Sequence, residues 1–159
     1  MSDEFEDGRW LAEAVALAVG NVEAGGGPFG ALVVRDGAIV ATGVNQVTTT
    51  NDPTAHAEVV AIRAACRELD DFRLSGCVLV SSCEPCPLCL AAALWARVDR
   101  VVYAADRHDA ARGGFDDRAF YELFATPREQ WPMGVDGVPV GERDAPFDAW
   151  RAKPDRVDY

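Results

Sequence analysis

Cys77-Val78-Leu79-Val80-Ser81-Ser82-Cys83-Glu84-Pro85-Cys86-Pro87-Leu88-Cys89 decides how this chain is read. Its first half, Cys77 to Ser81, is short, apolar and rich in β-branched residues, as in a buried strand. Its second half opens a helix predicted over Pro87 to Ala96, with Pro87 in the first turn, where no backbone N–H is needed. A further β-branched run, Val98 to Ala105, follows. The strand–helix–strand order predicts a crossover between parallel strands.

Working outward, Val59, Ile62, Cys66 and Leu69 mark one face of a helix running to Leu69, with Thr54 as its expected N-cap. A polar loop precedes it from Asn45 to Pro53. Upstream, Ala31 to Arg35 and Ala38 to Val44 are joined at Asp36-Gly37, a strong hairpin signal. Leu11, Ala14, Val15, Ala18 and Val22 recur at three- and four-residue spacing, so the first element is an amphipathic helix. It ends at Gly25-Gly26-Gly27-Pro28. Past Ala105 the spacing predicts a helix over about Asp117 to Phe124. Prolines and glycines then break the pattern until a short helix over Phe147 to Arg151. A leading helix followed by β-β-α-β-α-β predicts a mixed sheet with helices on both faces. The strands before the two helical crossovers are expected to pair in parallel there. A chain of 159 residues with no repeat and no linker reads as a single domain.

Composition excludes several classes. Hydrophobic residues make up 49% and charged residues 26%, which argues against disorder. The net charge of −11 and pI near 4.5 argue against nucleic acid as a partner. The longest apolar run, Leu88 to Ala96, spans nine residues, well short of a membrane span. Met1-Ser2-Asp3-Glu4 is acidic, unlike the start of a secretory signal. A cytoplasmic location is expected. Lys153 is the one lysine, and 16 of the 26 acidic residues are aspartate. That balance fits either adaptation to high salt or the codon usage of a GC-rich genome.

Five cysteines, an odd number, argue against a disulfide framework. Cys66 and Cys77 read as buried small apolar residues. Cys83, Cys86 and Cys89 are clustered. Cys86 and Cys89 are three apart, so one helical turn puts both sulfurs on one face. A helix N-terminus favours their thiolate form. His56-Ala57-Glu58 falls near the start of the other helix. One imidazole and two thiolates are good zinc ligands, and three protein ligands leave a fourth position for water. Glu58, two residues from His56, is placed to act as general acid and base. Two other readings stand beside this one. Cys83 could close the metal shell as a fourth, structural ligand. Cys83 and Cys86 could form a redox pair, although that leaves His56 and Glu58 without a role. His108 reads as a surface residue.

His56-x-Glu58 with Pro85-Cys86-x-x-Cys89 resembles the signature of the zinc-dependent, cytidine deaminase-like superfamily. Gly27-Pro28-Phe29-Gly30-Ala31, Asn51-Asp52-Pro53-Thr54-Ala55-His56-Ala57-Glu58-Val59, Gly114-Phe115-Asp116-Asp117 and Pro146-Phe147-Asp148-Ala149-Trp150-Arg151 are similar to bacterial guanine deaminases. The stretch from Gln130 to Asp144 departs from that pattern, as do Lys153 to Val157. The resemblance implies a three-layer α/β/α sandwich around a central mixed five-stranded sheet. It implies one zinc per subunit on His56, Cys86 and Cys89, with Glu58 as proton shuttle and Cys83 outside the shell. It implies that Asn45 and Asp117 hydrogen-bond a purine, with Asp117 helping to protonate the leaving amino group. Phe29, Trp95 and Phe115 match pocket aromatics. It also implies a homodimer exchanging residues 130–159, with Tyr159 reaching the partner's site. The expected reaction is conversion of guanine to xanthine and ammonia. Other deaminase substrates (guanosine, cytosine, an aminotriazine, adenosine in tRNA) and a non-catalytic zinc-stabilised domain are the alternatives.

Overall fold

Strand β3 (Cys77–Cys83) runs through the middle of the molecule's sheet. The computed structural model describes residues 2–159, and the side chains of residues 2–5 lie outside that description. Strands β1 (Gly30–Arg35), β2 (Ala38–Val44) and β4 (Arg100–Ala105) complete the sheet in the order β2-β1-β3-β4. β1 pairs antiparallel with both β2 and β3, whereas β3 and β4 are parallel. The expected hairpin is present: Asp36 (φ 51°) and Gly37 (φ 73°) both take the left-handed conformation that a tight two-residue turn requires.

The parallel expectation holds for the second crossover. The first crossover steps over β1, so β2 and β3 point the same way without pairing. The sheet has four strands among the described residues, not five. The reason is local. Beyond Ala105 no β-branched run remains, and Val135, Val138 and Val140 are interrupted by Gly137 and Pro139.

Both faces of the sheet are covered, following the period of two. Ala31, Val33, Cys77 and Leu79 face α3 (Ala57–Leu69) and α4 (Pro87–Trp95). Leu32, Val34 and Val80 face α1 (Ser2–Glu23) through Ala14, Leu17 and Trp10. Gly43 lets α3 approach closely. A Cβ there would lie 2.2 Å from the carbonyl oxygen of Ala57 and 2.4 Å from the backbone nitrogen of Ala61. The first turn of α3, with Glu58, is thereby pressed onto the sheet.

Three elements differ from expectation. Thr54 does not cap α3. Its hydroxyl and N–H both donate to Asp52 Oδ1, at 2.7 and 2.8 Å, and the helix starts after His56. The side chain of Asp52 satisfies Thr54 locally, so the turn wins over the cap. The loop after β2 contains a short helix, α2 (Val47–Thr50). A further helix, α5 (Arg107–Arg112), precedes α6 (Arg118–Leu123). α5 starts from a capping box in which the side chains of Asp106 and Asp109 each accept from the other's backbone N–H.

The chain divides into two compact units, Met1–Ala125 and Thr126–Tyr159. The second contains a 3₁₀ turn (Arg128–Gln130) and the helix α7 (Ala145–Ala152), and none of its residues is buried. No helix among the described residues is long and apolar enough to cross a membrane.

Candidate metal centre and binding cavity

Two helix starts converge at the C-terminal ends of the parallel strands. His56 is the N-cap of α3 and Cys86 the N-cap of α4, both in extended conformation. Pro87 forces the chain into α4 immediately, so Cys89 falls one turn later, on the same face as Cys86. His56 Nδ1 is 3.4 Å from each sulfur, and the sulfurs are 3.6 Å apart. Usual Zn–N and Zn–S bond lengths in a tetrahedron give edges of about 3.6 Å (N···S) and about 3.8 Å (S···S). The three atoms therefore outline one face of a zinc tetrahedron, and the donor set fits that metal.

The electrostatics agree with the geometry. Cys86 is pushed well below the usual thiol range by the hydrogen bond from Cys89 and by His56. Cys89 is pushed up by sharing that proton with Cys86 and by burial. His56 is raised, chiefly by its hydrogen bond to Cys86. Two thiols sharing a proton beside an imidazole form a site that a divalent cation would occupy with loss of that proton.

Cys83 is not part of this cluster. Its sulfur lies 3.7 Å from the backbone oxygen of Asp106, and burial pushes its thiol up to about 11. A thiol so protonated is a poor ligand. Cys83→Ser is therefore expected to retain one zinc per chain by metal analysis. Loss of zinc in that variant would restore the closed four-ligand shell. All five cysteines are free thiols.

Glu58 stands beside the cluster, 5% exposed. Its Oε1 accepts from the Ser81 hydroxyl at 3.0 Å and its Oε2 from Cys89 Sγ at 3.4 Å. Burial raises its pKa. Ser81 belongs to no motif of the sequence. Its signal in the sequence is a hydroxyl at the end of a buried apolar strand, which needs a partner.

The cluster opens into a cavity of about 680 Å³, within the range of small-molecule sites. Of the expected contacts, Phe29, Asn45, Phe115 and Asp117 line it together with His56, Glu58 and Cys86. Phe29 and Phe115 meet edge to face, with centroids 5.0 Å apart. Asn45 is held by the Asn21 amide, which donates to its backbone oxygen at 2.9 Å and to that of Gly27 at 2.7 Å. Its Oδ1 accepts from the N–H of Val47 at 3.2 Å, which leaves its Nδ2 as the donor to offer a ligand.

Asp117 is the N-cap of α6 yet makes no capping bond. Its Oδ1 is buried without a hydrogen-bond partner among the described residues, and burial raises its pKa. A buried acceptor left open at the wall of a cavity marks where a donor from a ligand would bind. Trp95 is placed elsewhere: it lies at the end of α4, 63% exposed, and does not line the cavity. Tyr159 stands in the second unit, edge-on to Trp150 with centroids 6.4 Å apart.

Residues 5–105 match the family model of the cytidine and deoxycytidylate deaminase zinc-binding region. The guanine deaminase of Bacillus subtilis (strain 168) is 51% identical over 94% of this chain and 97% of its own length. Its crystal structure superposes with a TM-score of 0.92 over 95% of this chain and 97% of that one. A crystal structure in complex with 2,6-diaminopurine is 36% identical, with a TM-score of 0.66 over 68% of this chain and 61% of that one. A tRNA-specific adenosine deaminase of Buchnera aphidicola subsp. Schizaphis graminum is 35% identical over 74% of this chain and 78% of its own length. The helix starts that carry His56, Cys86 and Cys89 thus fall within a matched zinc-binding region, and the chain belongs to the cytidine and deoxycytidylate deaminase family, alongside guanine deaminases.

Proposed function

We propose that this chain hydrolyses guanine to xanthine and ammonia. The observation that carries the reading is the Asp117 Oδ1, without a hydrogen-bond partner among the described residues, in the same cavity as the His56, Cys86 and Cys89 cluster and Glu58. Guanine presents N1–H and an amino group, donors that suit a carboxylate. Phe29 and Phe115 offer apolar faces to a flat ring. A relative in complex with 2,6-diaminopurine, another purine with a 2-amino group, supports a substrate of that class.

Zinc, held by His56, Cys86 and Cys89, would supply Lewis acidity and lower the pKa of a water to about 7. The chain's residues do the rest. Asp117 and Asn45 fix the ring. Glu58, held by Ser81, takes a proton from the attacking water as oxygen bonds to C2, and delivers it to N3. It then carries the second water proton to the amino group, with Asp117 assisting. The C2–N bond breaks and ammonia leaves.

The site is completed by a second copy of the chain. No residue of Thr126–Tyr159 is buried, although Phe147 and Trp150 give α7 an apolar side, so this unit needs an apolar surface to cover it. In this reading residues 130–159 are exchanged in a homodimer, and Tyr159 reaches the partner's pocket. A thiolate metal site with free cysteines suits the reducing cytoplasm.

A panel of guanine, guanosine, cytosine, an aminotriazine and an adenosine-bearing tRNA stem-loop tests the substrate, with ammonia release as readout. Release from guanine is expected. Guanosine belongs on the panel because a cavity of about 680 Å³ has room beyond a bare purine. The charge of −11 disfavours tRNA, whose phosphates need basic patches. Bound zinc with no ammonia from any substrate would point to a non-catalytic binding domain.

A further inference from the structure

The two residues before Cys86 are gripped from outside the metal cluster by groups that the signature does not include. The backbone N–H of Glu84 donates to the Ala105 carbonyl at 2.8 Å, and its side chain is held by Arg107. The Arg107 guanidinium meets its carboxylate in a two-point fork, Nε to Oε2 at 3.0 Å and Nη2 to Oε1 at 2.5 Å. The backbone N–H of Arg107 adds a third bond to Oε2 at 2.9 Å. That N–H is available because Arg107 is the first residue of α5, where the helix supplies no acceptor. The Asp106–Asp109 capping box fixes it there. The Glu84 side chain is only 13% exposed, so these bonds are partly shielded from water.

Next along the chain, the Pro85 carbonyl accepts from the Tyr121 hydroxyl. The guanidinium of Arg107 also lies over the Tyr121 ring, 3.6 Å from its centroid. The flat cation therefore joins both grips into one unit. Tyr121 is four residues after Asp117, one turn along α6. The helix that carries the open carboxylate is thus tied to the turn that carries the first thiolate.

We propose that Glu84, Arg107 and Tyr121 are positioning residues, which hold the Cys83–Cys86 turn so that Cys86 faces the metal while Asp117 faces the substrate. They touch neither group. The proposal rests on the zinc site and cavity described above, but its first readout, metal affinity, does not depend on which substrate is used.

The test compares the full-length zinc protein with Arg107→Ala, Arg107→Lys and Tyr121→Phe. Zinc affinity is read by competition with a chromogenic chelator. Coordination is read from the visible spectrum after loading with cobalt(II) alone. Arg107→Ala is expected to bind zinc about 10- to 100-fold more weakly, as is usual for residues that orient ligands from behind, and to shift the cobalt bands. Arg107→Lys should recover only part of the loss, because an ammonium can neither form the fork nor lie flat on the ring. Tyr121→Phe keeps the ring but releases Pro85. It should weaken zinc binding by a smaller factor and raise KM for guanine more than it lowers kcat, since α6 shifts with Asp117. Zinc affinity within twofold of wild type and an unchanged cobalt spectrum in folded Arg107→Ala and Tyr121→Phe would overturn the proposal. Full recovery in Arg107→Lys would remove the fork from it. If Arg107→Ala does not fold, Tyr121→Phe decides. A shifted cobalt spectrum without guanine turnover in any form, wild type included, would retain the positioning role and discard the substrate.

Discussion

Glu58→Gln is expected to retain one zinc per chain and to lose turnover by at least about 10²–10⁴-fold, the usual contribution of a positioned acid–base group. The substitution is nearly isosteric. A glutamine Oε1 still accepts from Ser81, whose hydroxyl lies 3.0 Å from the present carboxylate oxygen. The metal donors His56, Cys86 and Cys89 are untouched. What disappears is the group that accepts a proton and returns it. The carboxylate is buried and its pKa is raised by that burial, so charge is held there at a cost to the fold. The variant's melting temperature should therefore equal or exceed that of wild type while activity collapses. Stability gained with function lost is the pattern of a residue kept for chemistry. Wild-type rates from a zinc-loaded Glu58→Gln protein would remove the proton shuttle from the mechanism.

The second large effect is expected at Asp117. Asp117→Ala should lower kcat/KM for guanine by about 10²–10³-fold, because two donors of the bound base lose their acceptor, at about 1–3 kcal/mol for each unsatisfied group. Zinc content should not change, since Asp117 is not among the clustered ligands. The role also has a pH signature. Burial raises the Asp117 pKa, and its ionised form is the acceptor, so kcat/KM should fall as pH drops through a value above that of an ordinary aspartate. In Asp117→Ala the acid limb should become shallower, with only the Glu58 ionisation, also raised by burial, left to set it. A kcat/KM within threefold of wild type would show that the open oxygen does not meet the substrate.

Much of this site was legible along the chain because its chemistry is written at short spacing. Cys86 and Cys89 are one turn apart, Pro87 starts their helix, and His56 and Glu58 are two residues apart. The Asp36-Gly37 turn, the strands around it and the long helices follow from periodicities of two and 3.6. What escaped was short or non-local. α5 has six residues, too few for a periodic signal, although its capping aspartates Asp106 and Asp109 were visible. Thr54 looked like an N-cap because it precedes an apolar-periodic run, and the competing bond to Asp52 appears only in three dimensions. The fifth strand was expected from resemblance, not from any β-branched run.

Local spacing and composition supply the metal-binding residue types, the start of α4 at Pro87 and the acidic surface. Each of these depends on neighbours within a few positions or on composition alone. Which polar groups are left open depends on packing between distant segments. An aspartate at an N-cap ordinarily bonds its own helix, and nothing local says that Asp117 turns away from α6. Its burial against the metal cavity does that. Cys83 is likewise removed from the cluster by the Asp106 carbonyl, and the turn at Glu84 and Pro85 is gripped by Arg107 and Tyr121, more than twenty residues downstream. Chain spacing sets which groups can reach a metal, but only packing decides which donors and acceptors lose water and await a ligand.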